Sequence, residues 1–267
     1  MTVPTPFWRS IESLHHFIYL VPETGTHYAP LGLKGTWMGY FASRAAPMGA
    51  ASPELVTATF HGFAPSRVHR AIPDAWALAS PEQIHASRLD LAREVLGRVT
   101  TDEHTAPLAD TLATIAAGLD LAGKPLAAAH ASLTPPADGI ARFWLAGSVI
   151  REFRGDCHIA LLVGHGLGGV DANVLNVAAG RTFPQQQALR GWTDEEWAAG
   201  VERLRARGWL DADGAITTEG TAFRDELEDA TDRACLAAMS DEAVEAAVDI
   251  TDALRDIGRD LRAALAG

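Results

Sequence analysis

Apolar residues recur at helical spacing along most of the chain, and strand-like alternation is scarce. Phe7, Ile11, Leu14 and Ile18 share one face of a first predicted helix over 6–19. Pro22-Glu23-Thr24 opens a second, ending near 31–33. A third covers 38–45 and stops before Pro47, because a residue preceding proline avoids helical backbone. Ser52-Pro53-Glu54 and Ser80-Pro81-Glu82 both read as helix starts with proline at the first helical position. The first of these helices ends before Pro65, and the second runs to about Val99. Between them Val68, Ile72 and Trp76 form a helical face interrupted by Pro73. Residues 100–107 are polar and read as a loop, and 108–121 as a helix. Gly123-Lys124-Pro125 and the stretch 133–139 read as breaks. Helices are then expected over 140–153, continuing at 157–163, over 170–179, and over 219–239 and 241–265.

The stretch 189–220 carries the clearest signals. Thr193 is a good N-cap, and Glu196 three residues later completes a capping box. Trp197, Val201 and Leu204 give the following helix one apolar face, and Gly208 ends it. Trp209-Leu210 and Ala215-Ile216-Thr217 are expected as short strands around a turn at Asp211-Ala212-Asp213-Gly214. Helix, stop, wing and helix form the second half of a winged helix-turn-helix. The predicted fold class is therefore mainly α with a small β-wing. The break near Pro135 sets a boundary between a helical, winged-helix-like half, 1–134, and a C-terminal winged-helix half with closing helices, 135–267. Each half has a long first helix, a glycine turn (31–35 and 165–169) and a capped helix, at Ser52 and Thr193. That parallel suggests an internal duplication packed as a pseudo-dimer.

With 48% hydrophobic residues in 267, the chain can bury a sizeable core. Two cysteines give no disulfide framework. The sequence lacks an apolar run of the ~18 residues that a membrane helix needs, and MTVPTPFWRS lacks the regions of a signal peptide. A soluble cytoplasmic protein with no membrane partner is expected. The net charge of −12 opposes nonspecific attraction to a phosphate backbone. Residues 225–267 hold 12 acidic and 4 basic side chains, and 184–224 hold 7 and 5. Arg203, Arg205 and Arg207 could form a basic face. Asp194, Glu195 and Glu196, however, occupy the first turn of the reading helix, where base contacts usually originate. The shape is that of a DNA reader and the charge disfavours DNA.

The unit RGWTDEEWAAGVERLRARGWLDADGAITTEG, followed by a helix containing ELEDATDRAC, resembles the winged-helix core of MarR-type regulators. More closely, the chain resembles a mostly actinobacterial family of helix-turn-helix proteins. The matching segments are GYFASRAAP at 39–47, IPDAW at 72–76, REFRGDCH at 151–158 and RGW at 190–192. The resemblance covers roughly residues 10 to 240. It implies a MarR-like fold, and with it a ligand pocket between the helical and wing portions, but no particular reaction. Departures at His61, Cys157 and His165 leave room for a ligand specific to a subfamily.

The densest polar group in an apolar region is Arg154, Asp156 and His158. On a helix Arg154 and His158 share a face, and His165 falls near it about 10 Å further along. A histidine beside a carboxylate suits general acid–base chemistry near neutral pH, which makes Asp156 and His158 the catalytic candidates. The alternative is a buried network in which the three satisfy one another. Trp37, Tyr40 and Arg44 flank the first glycine turn, where an aromatic wall with an arginine could hold an anionic or aromatic ligand. The alternative there is helix packing. Trp76, Trp144 and Trp197 fall on core positions by period, and Trp144 borders the polar group. The ligand-binding candidates are Tyr40, Arg44, His61, Trp144, Arg154 and His165.

Glu12 with His15 and His16 has the spacing of half a carboxylate-bridged metal site, without the other half, so no metal is expected. No cofactor is fixed by the sequence, and haem held by one histidine, His61, His158 or His165, stays open. Gly164, Gly166 and Gly169 match a dinucleotide fingerprint formally, but without a βαβ context they read as a helix–helix turn. The resulting reading is a winged-helix protein that binds a small organic ligand, as a monomeric pseudo-dimer or a homodimer, with acid–base chemistry as an extension. The rival is a ligand-responsive regulator that binds DNA.

Overall fold

The computed structural model describes residues 3, 5–19 and 21–266. Residues 1, 2 and 4, within the stretch read for a signal peptide, lie outside them. The helices of the first half are α1 (Thr5–His16), α2 (Glu23–Tyr28), α3 (Gly35–Ala45), α4 (Pro53–Thr59), α5 (Pro65–His69), α6 (Asp74–Leu78), α7 (Pro81–Leu96), α8 (Asp102–Ala117) and α9 (Pro125–Ala131). Then come α10 (Gly139–Gly164), α11 (Gly169–Ala178), α12 (Gln186–Arg190), α13 (Asp194–Ala206), α14 (Thr218–Ala237) and α15 (Asp241–Ala266). No described helix is long and apolar enough to cross a membrane.

The architecture is organised around α10, whose 26 residues run unbroken through the segment expected as two pieces. Apolar side chains surround it, so it is buried on most sides, as an all-round apolar helix must be. It packs on α7, α8 and α9, and also on α1 and α14. The amphipathic α15 lays Leu254, Ile257 and Leu261 over α1 and α8. The main core draws on both sides of Pro135, from Phe7, Phe41 and Ile84 to Phe143 and Leu254. A smaller core of Leu162, Leu175, Leu204, Trp209 and Leu227 lies under the helix-turn-helix unit.

In that unit α11 packs on α13, with the short α12 between them in sequence. Thr193 and Glu196 form the expected capping box on α13. Two glycines set its position. A Cβ at Gly169 would lie 1.9 Å from the His61 carbonyl oxygen, and one at Gly220 would lie 2.3 Å from that of Trp209. The first brings α11 against the first half of the chain, and the second seats α14 on the wing.

The wing itself departs from expectation. Among the described residues no β-strand forms, and the wing is a turn closed by one isolated antiparallel bridge, Leu210 to Ile216. Its arms are too short for a ladder, because Gly208 ends α13 and Thr217 already caps α14. Asp211 Oδ1 accepts from the amides of Asp213 and Ala215, at 2.9 Å each, and holds the turn.

Two other stretches are helical against expectation. The loop expected over 100–107 is mostly the start of α8, where Thr101 caps the His104 amide at 3.2 Å and Asp102 and Glu103 suit the helix dipole. Those terms outweigh Pro107, which sits inside the helix. Pro125 begins α9 rather than ending structure, and α9 draws its cap from outside its own sequence, as described below.

Candidate functional site

The inward face of α10 carries a polar stripe at four-residue spacing, Ser148, Glu152 and Asp156, all buried. Glu152 is 1% exposed and accepts a two-pronged bond from Arg44, Nε at 3.0 Å and Nη2 at 2.7 Å. Arg151 Nη1 donates to it at 2.9 Å, and Arg151 Nε donates to Glu12 at 2.9 Å. Burial alone would raise the Glu152 pKa, but Arg44 and Arg151 outweigh it and hold the carboxyl well below its usual range.

Beside this ion cluster the hydrogen positions are fixed by elimination. Ser148 Oγ donates to the Trp144 carbonyl at 2.8 Å, so it must accept from His15 Nδ1–H at 3.0 Å. His15 Nε2 is then bare and accepts from the Tyr19 hydroxyl at 3.1 Å, and Tyr19 in turn accepts from Arg88. Arg88 Nη1 also donates to His130 Nε2 at 3.1 Å, while His130 Nδ1–H donates to the Leu126 carbonyl at 2.9 Å. Arg88 is fully buried and meets no carboxylate among the described residues; the rings of Trp144 and Tyr19 face its guanidinium at 4.7 and 5.6 Å. Burial and Arg151 push the His15 pKa well down, and burial and Arg88 push that of His130 down to about 3. Both imidazoles are therefore neutral at pH 7.

Arg151 and Glu12 carry this cluster to a groove of about 610 Å³ between α1, α10 and α14. Arg154 and His158 line it from α10, Trp8 from α1, and Glu228, Asp229 and Asp232 from α14. Arg154 Nη2 donates to Glu228 at 2.8 Å and to Asp232 at 2.9 Å. His158 repeats the logic of His15. Thr231 Oγ1 donates to the Leu227 carbonyl at 2.7 Å, so it accepts from His158 Nδ1–H at 3.0 Å. His158 Nε2 is then unprotonated and has no partner among the described residues. Burial depresses the His158 pKa to about 4, against the pull of Glu228. The groove thus offers a neutral imidazole acceptor beside a guanidinium and several carboxylates.

Of the residues singled out from sequence, Arg154 and His158 share this groove. Asp156 does not join them. Its Oδ2 accepts from the amides of Leu126 and Ala127 at 2.9 and 3.0 Å, which caps the start of α9. Burial raises its pKa to about 6 despite those bonds. Neither an Asp156–His158 acid–base pair nor a network in which the three residues satisfy one another is formed. Tyr40 and Arg44 belong to the buried cluster, with the Tyr40 hydroxyl accepting from Arg44 at 3.1 Å. Trp144 is a core residue stacked on His15 at 5.6 Å. His61 lies at the contact with α11. His165 is exposed at the end of α10, edge-on to Phe223, and does not line the groove although it was expected near the face of Arg154 and His158. Sequence reasoning missed Glu152, Arg88 and the buried role of His15. The available signal was a polar stripe at 148, 152 and 156 in an otherwise apolar helix.

The reading helix is closed onto its own unit. Arg203 Nε and Nη2 donate to Asp171 at 2.9 and 2.7 Å. Arg205 donates to the wing carbonyls of Asp211 and Ala212. Arg207 donates to the carbonyls of His165 and Gly166. Asp194, in the first turn, accepts from Gln187 at 2.7 Å.

A family model described as a helix-turn-helix family matches residues 5–266. No curated protein and no solved structure matches the chain.

Proposed function

The chain belongs to this helix-turn-helix family, and we propose that it uses the scaffold to bind a small organic molecule in the groove between α1, α10 and α14. The observation that carries this reading is His158, whose bare Nε2 lies in the groove without a protein partner. This half-buried imidazole acceptor faces the open groove, where a ligand hydroxyl or amine can take the place of water on it. Arg154, Glu228 and Asp232 orient a polar or zwitterionic molecule around that bond. Acid–base chemistry is the extension of this reading, with His158 alone in place of an Asp156–His158 pair.

MarR-like ancestry, an actinobacterial origin, an internally duplicated pseudo-dimer and a cytoplasmic location go with the proposal. Two features support the duplication: Gly32 and Gly166 both take positive φ at the glycine turns, and Ser52 and Thr193 both cap the helices that follow.

A second reading, a ligand-responsive regulator that binds DNA, is favoured by the family and by the packing of α11 on α13. A gel shift against the protein's own upstream region separates the two. The groove reading expects no specific complex. A tight, specific complex that weakens steeply as salt rises replaces it with the regulator.

A further inference from the structure

At the opposite end of α3 from Arg44 lies a second cavity, of about 650 Å³. It is walled by the start of α3, by α5 and α6, and by Gly191 just after α12. Lys34, Arg67 and Arg70 line it, against a single acid, Asp74. None of the four is in an ion pair among the described residues, whereas Arg93, Arg98, Arg154 and Arg259 each meet a carboxylate. In a chain of net charge −12, this is an excess of two positive charges within the described lining.

The cavity is also built to hold an anion in place. Arg67 is fixed, with Nη2 donating to the Ala188 carbonyl at 2.7 Å and the guanidinium 4.7 Å from the Trp37 ring centroid. Burial and the neighbouring Arg70 charge lower its pKa, a repulsion that a bound anion relieves. Lys34 and Arg70 are exposed and free to close on a ligand. Lys34 gives α3 no side-chain cap, so the first-turn amides of α3 are left without one. That helix end adds donors to a site its cations already define. Met38, Ala77 and Leu78 supply apolar wall beside the charge.

We propose that this cavity binds a small phosphorylated molecule, with its phosphate monoester between Lys34, Arg67 and Arg70. A phosphate monoester carries about two negative charges at pH 7, which matches the local excess. Guanidinium forks and free amides are the donors its oxygens require. The concave shape, walled by α3, α5 and α6, suits a small molecule better than the convex backbone of a duplex.

Isothermal titration with phenyl phosphate, at constant ionic strength, tests this. Wild-type protein is expected to bind one equivalent saturably. The Lys34→Gln/Arg70→Gln double variant is expected to bind at least tenfold more weakly. Arg259→Gln, at an exposed ion pair on α15, leaves binding unchanged. Asp74→Asn removes the only acid and tightens binding, which keeps the test sharp if the double variant fails to fold. Absence of saturable binding to wild-type protein, or equal binding by the double variant, or no tightening in Asp74→Asn, overturns the proposal. So does a duplex-DNA affinity that is lost in the double variant while phenyl phosphate binds neither protein.

Discussion

The reading helix α13 and residues 148–158 of α10 both carry several charged side chains and use them in different ways. Arg203 and Arg205 of α13 and its C-cap residue Arg207 turn back to Asp171, to the wing and to the turn after α10, leaving acids at the helix start. On α10 the charges are also paired, through Arg44, Glu12 and Glu228, but one acceptor, His158 Nε2, is left open in a groove. Charge content alone therefore does not separate a scaffold from a site. What separates them is which polar atoms remain unpartnered once folding is complete.

The largest effect that contrast predicts is at Glu152. Glu152→Gln leaves buried Arg44 and half-buried Arg151 around a neutral side chain, and breaking a buried ion pair typically costs about 3–5 kcal/mol. Denaturant unfolding measures it. Arg203→Ala, on half-exposed α13, is expected to cost only about 1 kcal/mol or less. Equal losses would erase the distinction between the two regions.

Acid stability comes next. His130 and His158 have folded pKa values of about 3 and about 4, below the ordinary value near 6.5. The folded protein therefore binds fewer protons than the unfolded chain. Their contribution is complete above about pH 6.5 and is lost as pH falls through about 4 and then about 3. Each pKa unit corresponds to about 1.4 kcal/mol, so several kcal/mol disappear in that window. His130→Gln keeps an acceptor for Arg88 and should flatten the thermal midpoint below pH 6.5; an unchanged pH profile would refute the assignment of a neutral His130.

Asp156 works in the opposite direction. Its pKa is raised to about 6, so its contribution is lost as pH rises from the ordinary carboxyl range through about 6. Asp156→Asn should remove that slope while keeping an acceptor, and Asp156→Ala, which removes the cap, should cost about 1 kcal/mol. Faster hydrogen exchange at Leu126 and Ala127 would locate the effect at α9, and unchanged exchange there would contradict the capping role.

The reasons some elements were legible in sequence and others were not are local. The caps at Ser52, Ser80, Thr193 and Thr217 are satisfied within their own turns, so their helices could be read directly. α9 could not, because its cap is Asp156, 30 residues away from Leu126 in sequence. The wing failed as strands because its residues serve the ends of two helices. The Arg154–His158 pair was legible because four-residue spacing on a helix fixes a shared face. Its partners Glu228, Asp232 and Thr231 were not, since only the crossing of α10 and α14 brings them together. Asp156 was drawn into the same group by proximity in sequence, though it faces another helix.

A small effect on stability and the largest on function are expected at one residue. His158→Ala gives up a single hydrogen bond to Thr231, worth about 1 kcal/mol. The decisive measurement is a thermal-shift titration of wild-type and His158→Ala protein against a panel of small organic acids, amines and zwitterions. A ligand at one hundred times its Kd stabilises by about 2.7 kcal/mol, which raises the midpoint on the order of 5 °C for a chain of this size. At least one compound should produce that rise in wild-type protein and lose it in the variant. No rise with any compound, or the same rise in both proteins, would contradict a ligand site at His158.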